Sequence, residues 1–160
     1  MALALRPLFL LCGLAGLLTG VGSFPAKIFI DVSCPEGWTQ VDAKCYILEE
    51  ETREFQEAES VCNILGGNLA SIANAVENAV VSEVAENDVA SATIWIGIYD
   101  ITGDNYLWTD GTRIEFDSYA NGEPMSANGN CVEMVTSTAE WNTEPCNTEL
   151  RYVCSREAGH

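Results

Sequence analysis

Six cysteines outside an apolar N-terminal run constrain this chain more than any other feature. The sequence holds seven, and Cys12 lies within the run Leu8 to Leu18. That run follows a single arginine, Arg6, and gives way to small residues through Gly22 and Ser23, the layout of a cleaved secretory signal over residues 1–23. It is broken by glycines and falls short of the roughly 20 apolar residues that a membrane span needs. No membrane span is expected elsewhere, and the product is expected to be secreted and extracellular, with a mature chain of one domain. Cys34, Cys45, Cys62, Cys131, Cys146 and Cys154 then sit in an oxidising compartment, and their even number argues for disulfides. Zinc is the competing use of cysteine. It is disfavoured because no Cys-x-x-Cys occurs and the one histidine is His160. The spacings alone leave every connectivity open.

Charge narrows the partners. There are 24 Asp and Glu against 7 Lys and Arg, a formal net charge of −17, and loss of the signal also removes Arg6. Such a surface repels nucleic acid and anionic membranes. The acids are spread along the chain, which reads as a well-solvated surface rather than a dedicated cation- or mineral-binding block. Catalysis has little to work with. His160 is the sole histidine, every mature cysteine is claimed by the expected bridges, and neither a phosphate loop nor a nucleophile elbow occurs. An enzyme is not expected.

Periodicity outlines the elements. Thr52 to Leu65 sets Phe55, Ala58, Cys62 and Leu65 at helical spacing, with Glu51 and Glu54 in the first turn and Gly66-Gly67 as the stop. A second helix begins at the cap-like Asn74-Ala-Val-Glu77 and runs to about Glu86, with Val76, Val80 and Val84 as its stripe. Thr93 to Ile98 suits a buried strand with Trp95 in the core, and Cys131 to Val135 and Leu150 to Cys154 read as late core strands. Asp100 and Asp104 read as turn formers, and Gly111 is expected at positive φ.

Several short motifs together resemble the C-type lectin-like domain family in its long form. They are Cys34-Pro-Glu-Gly-Trp38, Lys44-Cys45-Tyr46, Trp95-Ile-Gly-Ile98, Trp108-Thr-Asp-Gly-Thr112, Glu123-Pro124 and Trp141-Asn142. The resemblance spans Cys34 to Cys154. It implies an α+β fold: two helices flanking antiparallel β-structure, a long loop region and three disulfides, Cys34–Cys45, Cys62–Cys154 and Cys131–Cys146. The domain is placed at 34–155, after a short segment 24–33 and before a tail 156–160.

The resemblance also marks a ligand loop. In the family a Glu-Pro-Asn or Gln-Pro-Asp triplet, with a cis proline, and a Trp-Asn-Asp triplet supply oxygens to one Ca²⁺, a hard ion that takes about 6–8 of them. Here the triplets read Glu123-Pro-Met125 and Trp141-Asn142-Thr143, and Gly129 stands where mannose-binding relatives carry a glutamate. Glu123 and Asn142 remain as metal-ligand remnants. Met125 offers a soft thioether and Thr143 a neutral hydroxyl. Calcium at this primary site is expected to be weak or absent, and no cofactor is required. Restoring Met125→Asn, Thr143→Asp and Gly129→Glu together is expected to create affinity for it. An auxiliary site at Asp100 and Asp104, with Ser126 and Asn130, is disfavoured, and Glu133 is read as facing the core or its edge rather than as a ligand. The resemblance thus implies a binding protein that meets a glycan through Glu123, Met125, Asn142 and Thr143. The alternative is a calcium-independent protein- or surface-binding module, as in receptor-binding, biomineral and type II antifreeze relatives.

Overall fold

The computed structural model of the chain describes residues 33–86, 92–103 and 105–159. The expected signal and its cleavage point, Asp104 and His160 lie outside them. The elements run β1 (Thr39–Val41), β2 (Lys44–Arg53), α1 (Phe55–Ile64), β3 (Asn68–Leu69), α2 (Ala75–Ala85), β4 (Thr93–Asp100), β5 (Tyr106–Trp108), β6 (Cys131–Val135), β7 (Glu140–Glu144) and β8 (Leu150–Glu157). The strands form one sheet in the order β1-β2-β8-β4-β6-β7, with β3 on β8 and β5 on β4. Pairing is antiparallel except between β4 and β8, which run parallel, so the expected antiparallel structure is a mixed sheet. The three disulfides join Cys34–Cys45, Cys62–Cys154 and Cys131–Cys146. Cys62–Cys154 ties α1 to β8, and Cys131–Cys146 braces the base of the ligand loop.

Both helices depart from the sequence expectation in an informative way. The first begins at Phe55, not Thr52, because β2 continues to Arg53, which pairs with Leu150 and accepts the Trp95 indole N–H at its carbonyl. Glu51 therefore belongs to a strand and Glu54 to the cap position, leaving Glu57 as the acid of the first turn. The second helix starts where expected, with the Asn74 side chain accepting from the Val76 and Glu77 amides. Its buried face, however, is Glu77, Asn78, Val81 and Ala85, while Val76 is 64% exposed.

Polar partners explain that rotation. The Glu77 carboxylate accepts from the Tyr46 hydroxyl at 2.8 Å, the Lys44 ammonium at 3.3 Å and the Ala73 amide at 3.0 Å. Burial pushes its pKa up, but the Ala73, Tyr46 and Lys44 bonds outweigh this and hold it below the usual carboxylate range. The Asn78 amide accepts from the Trp141 indole and donates to the Ala139 carbonyl, both at 2.9 Å. A buried polar group is tolerated when each donor and acceptor finds a partner, and these residues find theirs only when turned inward.

One core cluster gathers Tyr46, Ile94, Ile96, Trp108, Val132 and Trp141, and another gathers Phe55, Cys62, Trp95, Tyr152 and Cys154. Trp95 is fully buried, as expected of a core residue. At the C-terminal end β8 passes Ser155 to Glu157, and Ser33 bridges to Gly159. The residues 156–159 expected as a tail, and Ser33, are thus part of the folded unit. Gly111 has φ of 82°, within the left-handed region.

Candidate functional site

The candidate ligand loop is seated on β7. That strand pairs with β6 so that Asn142 lies opposite Glu133 and Thr143 opposite Val132. Strand alternation buries Trp141 and Thr143 and leaves Asn142 half-exposed on the other face. Trp141 is the footing of the loop, with the rings of Trp108, Phe116 and Tyr119 packed edge-on around it at 5.6, 5.8 and 5.5 Å between centroids. Each such pair is worth about 0.5–1.5 kcal/mol beyond its buried area. The backbone is pinned as well, since the Trp141 amide donates to Ser118 O and the Ala120 amide to Trp141 O.

Above this footing the Glu123–Pro124 peptide is cis, and Glu123 turns toward β7. Its Oε2 accepts from the Thr143 amide at 3.1 Å, the Met125 amide at 2.9 Å and the Thr143 hydroxyl, and its Oε1 accepts from the Asn128 side chain at 3.2 Å. The Thr143 hydroxyl also lies 2.9 Å from the Met125 carbonyl and accepts from the Met125 amide at 3.2 Å. Burial raises the Glu123 pKa, but the hydroxyl and amide donors outweigh it, so the carboxyl is held below its usual range. The structure therefore brings Glu123, Met125 and Thr143 into one closed hydrogen-bonded unit. Met125 keeps its side chain 46% exposed.

Asn142 is not part of that unit. Its side chain is hydrogen-bonded to Glu133, as is that of Thr93, while burial and the nearby Glu144 raise the Glu133 pKa. Glu133 lies half-buried on β6 between β4 and β7, opposite Trp95 and Asn142, and fixes the orientation of Asn142, a role that sequence reasoning missed. Only the β6–β7 register places the two side by side, although alternation along Cys131 to Val135 could have flagged Glu133 as outward.

Gly129 is glycine for want of space. A Cβ built there would lie 2.1 Å from the Glu144 carbonyl carbon and 2.2 Å from its oxygen. The expected restoration of calcium affinity by a substitution set that includes Gly129→Glu is thereby corrected, since the side chain has no room without displacing the β7 end. At the auxiliary position Asp100 Oδ1 accepts from the Thr102 and Asn105 amides, each at 3.1 Å, which is the turn-forming use expected of it. Among the described residues no three His, Cys, Asp or Glu side chains are grouped as a metal site.

A larger cavity, about 500 Å³, lies elsewhere, walled by Lys44, Ser71, Trp108, Thr112 and Arg113 among others. Much of its polar wall is engaged internally. Lys44 bonds Ser71 and Glu77, and Asp110 is hydrogen-bonded to the side chains of Ser71 and Thr112. This network ties α2 and the turn after β5 to β2.

The family model described as "Lectin C-type domain" matches residues 51–156. Lithostathine-2 of Mus musculus is 34% identical over 133 residues, which cover 79% of this chain and 77% of that protein. Among solved structures, the cow C-type carbohydrate-recognition domain of CD23, determined in the presence of GlcNAc2Man3 oligosaccharide, superposes with a TM-score of 0.72 at 30% identity, over 80% of this chain and 98% of its own. A calcium-independent type II antifreeze protein superposes with a TM-score of 0.72 at 26% identity, over 79% of this chain and 95% of its own.

Proposed function

Because the chain belongs to the C-type lectin domain family, we propose that it is a secreted, non-enzymatic binding protein that recognises carbohydrate through the loop face of Glu123, Met125, Asn142 and Thr143 without calcium. The observation that carries the calcium-independent part is the saturation of Glu123. All of its close partners are hydrogen-bond donors, and Thr143 supplies a hydroxyl proton where a cation would need a carboxylate. Ca²⁺ depends steeply on the charge and number of its oxygens. The thioether of Met125, the diversion of Asn142 to Glu133 and the absence of room at Gly129 all act against it. Residues 1–23 serve in this reading as the cleaved signal that delivers the chain to an oxidising, extracellular setting.

The carbohydrate part is supported by the likeness to the CD23 carbohydrate-recognition domain. A glycan array probed with the disulfide-intact protein, once with calcium and once with chelator, tests both parts. Binding that survives chelation and is lost in Asn142→Ala and Met125→Ala is expected. Binding abolished by chelator would refute calcium independence, and a blank array would refute carbohydrate recognition. The likeness to the calcium-independent antifreeze protein, with Met125 exposed on the same face, favours a surface-binding module as the second reading. A blank array with activity in an ice-recrystallisation assay selects it.

A further inference from the structure

Phe55 opens α1 and packs edge-on against the buried Trp95 at 5.5 Å between centroids. Tyr99, near the end of β4, lies 6.4 Å from Phe55 at an interplanar angle of 47°. It sits just past the register shift between β4 and β6, paired with Cys131 on one side and Leu107 on the other, and the ring is half-buried. Two cavities meet at these aromatics. One, of about 200 Å³, is lined by Phe55, Gln56, Glu59, Tyr99 and Thr109. The other, of about 230 Å³, shares Phe55, Gln56 and Tyr99 and adds Asp100, Asn130 and the Cys131–Cys146 bridge.

The polar groups around them divide in two. Glu59 is occupied by the Asn63 and Asn68 side chains and the Leu69 amide, and Asp100 by its turn amides. The Gln56 and Asn130 side-chain amides and the Tyr99 hydroxyl, by contrast, have no partner among the described residues. The Thr109 hydroxyl is shut off from solvent and is also unpaired. A buried hydroxyl without a partner costs on the order of 1–3 kcal/mol, and native structures leave few of them.

We propose that these cavities form a second binding site, for one neutral pyranose ring, separate from the loop at Glu123. Aromatic side chains beside neutral donors and acceptors match a ligand with an apolar C–H face and a rim of hydroxyls. No lysine or arginine lines either cavity, while Glu59 and Asp100 do, and the chain carries a net charge of −17, so an anionic ligand is repelled. The volumes fall below the roughly 300–1,000 Å³ typical of larger ligands, which suits a single ring. None of Glu123, Met125, Asn142 or Thr143 lines the cavities. The site rests on the carbohydrate reading above but not on the loop.

The test is a ¹H–¹⁵N titration of the disulfide-intact protein in chelator with methyl mannoside, methyl galactoside and N-acetylglucosamine in turn. At least one sugar should shift Gln56, Tyr99, Thr109 and Asn130, with a dissociation constant on the order of 1–10 mM. Tyr99→Ala and Gln56→Ala should each weaken that binding about tenfold, roughly 1.4 kcal/mol. Thr143→Val should leave it unchanged. Gln56 is exposed, so its variant keeps the fold and isolates the contact even where Tyr99→Ala loosens the core. Shifts confined to the loop would overturn the second site while leaving carbohydrate recognition intact. No shifts alongside a positive glycan array would do the same, and no shifts with a blank array would overturn both readings.

Discussion

Replacing Thr143 by valine keeps the shape of a side chain that is 4% exposed and removes only its hydroxyl. That hydroxyl donates to Glu123 Oε2 and accepts from the Met125 amide, so the change deletes one charge-assisted bond and weakens the closure of the loop. A hydrogen bond to a charged group contributes about 1.5–3 kcal/mol. Glu123 is only half-buried and keeps three other donors, and solvent screening brings the expected loss to about 1–2 kcal/mol. Urea unfolding at pH 7 with the disulfides intact measures it. The sign with pH follows from the lowered carboxyl pKa. The contribution is fully present above the ordinary glutamate value and is lost as pH falls through the folded value, so wild type and Thr143→Val should converge in acid. A carbon-detected NMR titration should find Glu123 below its usual range in wild type and moved upward in the variant, with neither curve altered by calcium or chelator. A loss under about 0.5 kcal/mol with an unmoved Glu123 titration would refute the claim that the hydroxyl occupies the cation's role. A wild-type titration that shifts on adding calcium would refute the proposed calcium independence.

Two further outcomes follow from the scaffold. The Cys62–Cys154 bridge spans 92 residues and Cys34–Cys45 spans 11, so removing the former pair should cost about 2 kcal/mol more in the chain-entropy model; equal losses in denaturant unfolding would show that native packing rather than loop length governs both. Gly129→Ala should destabilise by about 1–3 kcal/mol because its Cβ meets the Glu144 backbone. A neutral result in thermal unfolding would mean that the loop does not run against the end of β7.

Much of this protein was legible in its residues because the relevant signals are local or compositional. The cysteines, the Asn74 cap and the short β-branched apolar run from Thr93 to Ile98 report elements directly, and the motif resemblance supplies the pairing and the loop. The sequence pattern starts the first helix three residues early for a non-local reason: Arg53 is held in the sheet by Leu150 and Trp95, which no window around Thr52 contains. The second helix was rotated for a similar reason. Periodicity ranks faces by apolarity and so favours the valine stripe, whereas Glu77 and Asn78 turn inward to meet Lys44, Tyr46 and Trp141 from distant parts of the chain.

The candidate site divides the same way. The proposal that Glu123, Met125, Asn142 and Thr143 meet the ligand rests on residue chemistry in a recognisable motif, as does the poor match of two of them to a hard cation. The closure of Glu123 on the Thr143 hydroxyl, the pairing of Asn142 with Glu133 and the crowding at Gly129 were decided by tertiary structure alone. The cavities at Phe55 and Tyr99 belong there too, joining a helix start, a strand end and a loop far apart in the chain. Sequence carries the preference of each residue for water or interior, but a hydrogen bond or a steric contact exists only once the fold has brought both partners together.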